Sequence, residues 1–172
     1  MTTVLQLSHV LKNRPAIEPA DGVRLRTYRS DDDIRRWIDI RHKSFAHQRL
    51  GVSRWNCEDF QREFISKRWW RPDHLWFAES EPATESEVPE TVGTVTLALR
   101  GSGEEAKPVV HWLAVVPRWR RRGIGRLLIK RLEATCWDAG YRQVWLETHV
   151  AWTAAARLYE SLGYRPARLD QQ

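Results

Sequence analysis

Residues 109–132, VVHWLAVVPRWRRRGIGRLLIKRL, decide the fold. An apolar run over 109–116 stops at Pro117, and the chain turns through Arg118-Trp119-Arg120-Arg121-Arg122-Gly123-Ile124-Gly125. A helical pattern follows, with Ile124, Leu127, Leu128 and Leu132 on one face. A strand, a glycine-containing turn and a helix N-terminus together build an anion cradle from main chain. Glycines let the backbone approach a ligand without Cβ interference. The N–H groups of the first helical turn have no intrahelical acceptor, and the helix dipole adds partial positive charge there. The stretch reads as a site for a phosphorylated ligand. It is not a Walker loop, which ends in Gly-Lys-Ser/Thr where this chain has Arg126-Leu127. Nor is it a dinucleotide fingerprint, whose third glycine is replaced by Leu128.

Working outward, Ala139-Gly140 stops the helix. Val144 and Leu146 then alternate with Trp145, Glu147 and His149 along a strand. A strand-helix-strand unit of this length predicts a right-handed crossover and parallel pairing. A last helix carries Ala155, Leu158, Tyr159 and Leu162 on its apolar face. Upstream, residues 23–28 alternate as a strand, and Ser30 or Asp31 caps a helix with Ile34, Trp37, Ile38, Arg41 and Phe45 on one side. The polar segment 46–56 carries His47, Arg49, Arg54 and Trp55. Asn56 or Cys57 opens a second helix with Phe60, Phe64, Ile65 and Arg68. Residues 75–79 and 92–99 read as antiparallel strands, with Gly93 a candidate bulge. Residues 4–10 are a short strand or a frayed arm, broken at Asn13-Arg14-Pro15. The division expected is an N-terminal extension, 1–21, and one domain, 22–172.

Composition narrows the class. At 172 residues, with 42% hydrophobic and 29% charged residues, the chain can bury one core and is not of the disordered kind. No apolar run approaches the roughly 20 residues of a membrane span. Residues 1–12 lack the features of a signal peptide, so the expected location is the cytoplasm. Cys57 and Cys136 have no metal or redox spacing and are expected as reduced thiols. A net charge of +6 admits a nucleic-acid binder with its patch at residues 118–126. That reading is disfavoured because no helix-turn-helix, zinc knuckle or aromatic-studded strand accompanies the patch. The ten tryptophans are scattered, as core or cleft residues would be. Trp55, Trp69 and Trp70 are read as packing residues; His42, His47 and His74 as surface histidines.

Arg120-x-x-Gly123-x-Gly125 after Leu113-Ala114-Val115-Val116-Pro117 resembles the pyrophosphate motif of the Gcn5-related N-acetyltransferase (GNAT) family. That family moves acetyl groups from acetyl-CoA to amines. The resemblance spans residues 23–166, weakly before 90 and strongly from 109. It implies a mixed α/β sheet flanked by about four helices, antiparallel in its N-terminal strands. The strands at 109–116 and 144–149 run parallel and splay apart where the cofactor arm enters. It further implies that main-chain groups of Leu113, Ala114 and Val115 hold the pantetheine arm and acetyl carbonyl. Arg120, Arg121, Arg122, Gly123, Ile124, Gly125 and Arg126 form the cradle. The region between the first two helices helps form the acceptor site. The family adds two strands after residue 164, more than the last eight residues can supply, which leaves residues 3–10 or a partner subunit to complete the sheet.

Attack of an amine on a thioester needs a base to take a proton and an acid to protonate the departing thiolate. Trp145-Leu146-Glu147 followed by Leu158-Tyr159-Glu160-Ser161-Leu162-Gly163-Tyr164 resembles the bacterial ribosomal-protein alanine acetyltransferases. This resemblance implies Glu147 as base and Tyr159 as acid. His111 is the alternative base, its ordinary pKa suiting neutral pH, and water is a third. Trp152 departs from the subgroup, which has a cofactor-contacting asparagine there. Read from the residues alone, Tyr159 is equally a core aromatic and Glu147 a solvated strand carboxylate. The expected function is transfer of an acetyl group from acetyl-CoA to a primary amine, a protein N-terminus or a small molecule, by direct attack and without metal. A homodimer is compatible with it. The alternatives are a non-catalytic acyl-CoA-binding sensor or scaffold and a basic nucleic-acid-binding module.

Overall fold

The computed structural model describes residues 4–46 and 54–167. Seven strands form one mixed sheet in the order β2-β3-β4-β5-β6-β1-β7. They are β1 Val4–Val10, β2 Val23–Thr27, β3 Leu75–Ser80, β4 Thr91–Arg100, β5 Lys107–Val115, β6 Gln143–His149 and β7 Arg165–Pro166. Four α-helices accompany them: α1 Asp32–Phe45, α2 Cys57–Phe60, α3 Ile124–Asp138 and α4 Thr153–Ser161. Strands β2 to β5 are antiparallel, whereas β5 and β6 are parallel, as the crossover requires. No helix among the described residues is long and apolar enough to cross a membrane.

The N-terminal strand completes the sheet. β1 pairs antiparallel with β6 over its whole length, from Val4↔His149 to Val10↔Gln143, and Leu7 and Ser8 also pair with β7. His9 Nδ1 lies 2.9 Å from Glu133 Oε1, and Lys130 Nζ donates to Glu133 Oε2 at 2.9 Å. The fully buried Glu133 on α3 thus ties down β1. Gly163, past the end of α4, has φ +97, and a Cβ there would meet His9 Nε2 at 2.9 Å. Gly163→Ala is therefore expected to destabilise the chain by about 1–3 kcal/mol through backbone strain and displacement of His9. A urea titration checks this, with the midpoint falling at unchanged slope.

The helices follow their local signals. Asn56 caps α2 in a capping box with Asp59, each side chain accepting from the other's backbone N–H. The helix continues as a π turn, Gln61–Ile65, which brings Phe60 and Phe64 face to face with ring centroids 4.4 Å apart. α1 starts at Asp31 without a side-chain cap. It buries Ile34, Trp37 and Arg41 as its periodicity predicts, and also Ile40. α3 buries Ile124, Leu127, Leu128 and Leu132 and ends at Gly140 with φ +93. It packs so closely that a Cβ on Gly93 would sit 3.2 Å from Ile124, Leu128 and the Ala114 carbonyl. The register slips beside Gly93, between Ala78 and Glu79. The cysteines are free, Cys57 exposed and Cys136 buried, its thiol pushed up to about 12 by burial.

Some expectations need correction. His42 and His74 are half-buried rather than surface residues, because His42 lies on a packed helix and His74 stacks on Trp76. His47 and Arg49 lie outside the described residues.

Candidate active site

The site begins with a defect in β5. Thr94 faces Ala114 and Thr96 faces His111, so Val95 alone opposes Trp112 and Leu113. This is a β-bulge, which bends a strand and re-aims its groups. Trp112 adopts φ 53, which is rare for a bulky side chain. Its ring is held edge-on against Trp37, Phe45 and Trp55, with the Arg41 guanidinium 4.9 Å from its centroid. Parallel pairing with β6 covers only Val109↔Trp145 and Val110↔Leu146. Beyond Val110 no described residue of β6 pairs with β5, and the strands part.

That parting opens a cavity of about 1030 Å³ running from the turn after β5 to the edge of β1. At one end stand Arg120, Arg121, Gly123, Ile124, Gly125 and Arg126; at the other, Val4, Arg100, His111 and Glu147. Leu113, Ala114 and Val115 line the middle, facing Thr148, Trp152, Leu158 and Tyr159. All the residues expected at the site line this cavity except Arg122. The Arg122 guanidinium instead stacks 4.6 Å over Trp119.

At the cradle end, Gly123 is the N-cap of α3 with φ +80, and Arg121 has φ 63. The first turn of α3 lines the cavity here, and N–H groups at a helix start have no intrahelical acceptor. The two glycines serve different ends. Nothing lies within 4 Å of a Cβ on Gly123, so the residue is there for its backbone angle. A Cβ on Gly125 would meet Leu158 Cδ2 at 2.9 Å, so Gly125 lets α4 close on α3. Gly125 lines the cavity as well, so its closeness to Leu158 leaves the expected ligand role standing beside the packing one. Arg120 donates from Nε to the Val115 carbonyl and from NH2 to the Ser44 carbonyl, both at 2.9 Å. It fastens the turn to β5 and α1. Arg118 is paired with Glu90. The basic run is therefore largely committed within the chain, and it does not form one free patch.

At the other end, Glu147 Oε1 accepts from Arg100 NH1 at 3.1 Å and from Gln6 Nε2 at 3.4 Å. His111 is packed among Phe64, Trp69 and Trp112, and burial pushes its pKa down to about 4, with the Arg100 charge adding to the effect. It is a neutral imidazole at pH 7. Tyr159 is buried, its ring against Tyr164, and burial drives its phenol pKa far up. Its hydroxyl makes no hydrogen bond to the described residues, and the residue lines the cavity. Trp152 is the N-cap residue of α4, its ring tilted against Phe45 and His149, and its Nε1 is buried without a partner.

Sequence reasoning did not find the bulge, Arg100, Val4, Phe45 or Ser44. Residues 109–116 read as an unbroken strand, and the others reach the cavity from distant segments. Nothing local marks them.

Residues 34–164 match the model of the acetyltransferase (GNAT) family. The chain is 34% identical over 160 residues to a mycothiol acetyltransferase of Thermobispora bispora, a match covering 91% of this chain and 51% of the relative. It is 40% identical over 57 residues to a ribosomal protein bS18-alanine N-acetyltransferase of Salmonella typhimurium, covering 33% of this chain and 38% of that one. A GCN5-related N-acetyltransferase from Sphaerobacter thermophilus superposes with a TM-score of 0.75 at 23% identity, over 95% of this chain and 48% of that one. The chain spans about half the length of the mycothiol acetyltransferases it matches.

Proposed function

Because the chain belongs to the acetyltransferase (GNAT) family, we propose that it transfers an acetyl group from acetyl-CoA to a primary amine by direct attack. The observation that carries this reading is the single cavity joining a helix N-terminus to the opened β5/β6 gap. A negatively charged, elongated substrate fits such a cavity: its phosphates at the α3 N-terminus, its arm along Leu113, Ala114 and Val115. Arg121 and Arg126 line that end and add positive charge, while Arg120 acts by holding the turn. Trp152 lines the cavity and offers an indole N–H that has no partner in the chain.

In the reaction a neutral amine attacks the thioester carbonyl carbon. The C–N bond forms, the C–S bond breaks, and the thiolate takes a proton. Tyr159 is assigned as the donor, since its raised pKa keeps it protonated at neutral pH. The proton lost by the amine goes to Glu147, to neutral His111, or to water. His111 at a pKa of about 4 is a weak base, which favours Glu147 or a water it holds.

Calorimetric titration with acetyl-CoA tests the reading. The wild-type chain is expected to bind in the micromolar range, and Gly123→Asp to bind roughly 10- to 100-fold more weakly. That substitution places a side chain at φ +80 and a negative charge at the anion site. Wild-type affinity in Gly123→Asp, or no binding by the wild type, would overturn the cradle.

A further inference from the structure

The end of the cavity away from the cradle carries charges in an arrangement that selects the acceptor. Arg100 closes β4 and Glu147 lies on β6, and their side chains meet across the intervening β5 at 3.1 Å. They remain 52% and 40% exposed, so either can exchange its partner for a ligand. Glu147 is the one carboxylate among the described residues lining the cavity, against Arg100, Arg120, Arg121 and Arg126. The same cavity has apolar and aromatic lining in Val4, Val109, Phe45, Trp112 and the neutral His111.

Three kinds of amine meet this surface differently. A polycation brings several ammonium groups to one carboxylate, and Arg100 beside that carboxylate repels the surplus. A neutral-bodied monoamine can pair with Glu147 but leaves Arg100 without its carboxylate. An amine with a carboxylate on the same carbon exchanges both contacts at once. Its ammonium takes Glu147 and its carboxylate takes Arg100, a charge-assisted pairing that guanidinium geometry favours.

Resting on the transferase reading above, we propose that the acceptor is a small zwitterionic amine of the α-amino-acid kind with an apolar side chain, and that Arg100 recognises its carboxylate. The side chain lies along Phe45 and Trp112. Binding places the ammonium against Glu147, which is where its proton must leave before attack.

Free-thiol release at saturating acetyl-CoA, measured with phenylalanine, phenylalanine amide and spermidine, tests this. Phenylalanine is expected to exceed its amide by roughly 10- to 100-fold in kcat/KM, with spermidine slowest. In Arg100→Gln the acid-to-amide ratio should fall toward one, and Arg100→Lys should restore part of it. An amide or spermidine rate equal to or above that of phenylalanine overturns the proposal and leaves the transferase reading standing. So does a preference that survives Arg100→Gln. Acetyl-CoA binding with no thiol released by any of the three overturns the acceptor proposal. Absence of acetyl-CoA binding in the calorimeter overturns the transferase reading itself, and the acceptor proposal with it.

Discussion

Replacing Tyr159 by phenylalanine is expected to lower kcat by about 100- to 10,000-fold, the span attributed to a positioned general acid. The substitution removes only the hydroxyl. That group makes no hydrogen bond to the described residues, while the ring packs on Tyr164 with centroids 5.8 Å apart. Phenylalanine keeps the packing, so thermal stability and acetyl-CoA affinity should stay at wild-type values while turnover falls. Burial holds the phenol protonated well above neutral pH. It therefore has a proton to give to a thiolate throughout the physiological range. Steady-state kinetics with calorimetry separate the two readings of this residue. A Tyr159→Phe protein with wild-type kcat would reduce Tyr159 to a core aromatic and return the proton donor to solvent.

The second large effect lies in the scaffold that holds α1 over the cavity. Asp33, 1% exposed, accepts from Arg26 NH2 at 2.7 Å and NH1 at 2.9 Å, and from the Arg29 N–H at 2.8 Å. Arg36 adds a contact at 3.1 Å, and Arg26 also pairs with Glu79 on β3. Asp33→Asn keeps the shape and removes the charge, leaving the buried Arg26 guanidinium half-compensated. Breaking a buried ion pair in this way costs about 3–5 kcal/mol. Urea denaturation would measure it; a loss under about 1 kcal/mol would mean the network relaxes around Glu79 alone. The same contact sets a pH dependence. Burial acts to raise the Asp33 pKa, but Arg26, the Arg29 N–H and Arg36 outweigh it and hold the carboxyl below its ordinary value. With the folded pKa lowered, this stabilisation is complete above the unfolded value of about 3.9 and is lost as pH falls through the folded one. Asp33→Asn should therefore have a flatter stability profile than the wild type below about pH 4.

The cradle was legible from residues 109–132 because everything that makes it is local. An apolar strand, a proline stop, a glycine that tolerates φ +80 and a helical apolar stripe all act within a few residues of one another. The parallel crossover followed from the length of the connection, whereas Tyr159 and Glu147 were singled out by the family resemblance and not by their spacing. What could not be read is non-local. Residues 4–10 were one of two candidates to complete the sheet, but their place between β6 and β7 was not legible, because strand pairing with residues some 140 positions away is written in the partner as much as in the strand. The bulge at Trp112 is stabilised by rings from α1 and the segment after it, so its positive φ has no sequence mark. Gly125 reads as a ligand glycine, and its second contact, with Leu158, exists only once α4 lies against α3. Arg100 reaches Glu147 only because the sheet sets β4 and β6 on either side of β5. Local backbone preference thus determined the strand-turn-helix unit and the order of elements, while long-range pairing and packing decided the opening of the strands and the charges at the far end of the cavity.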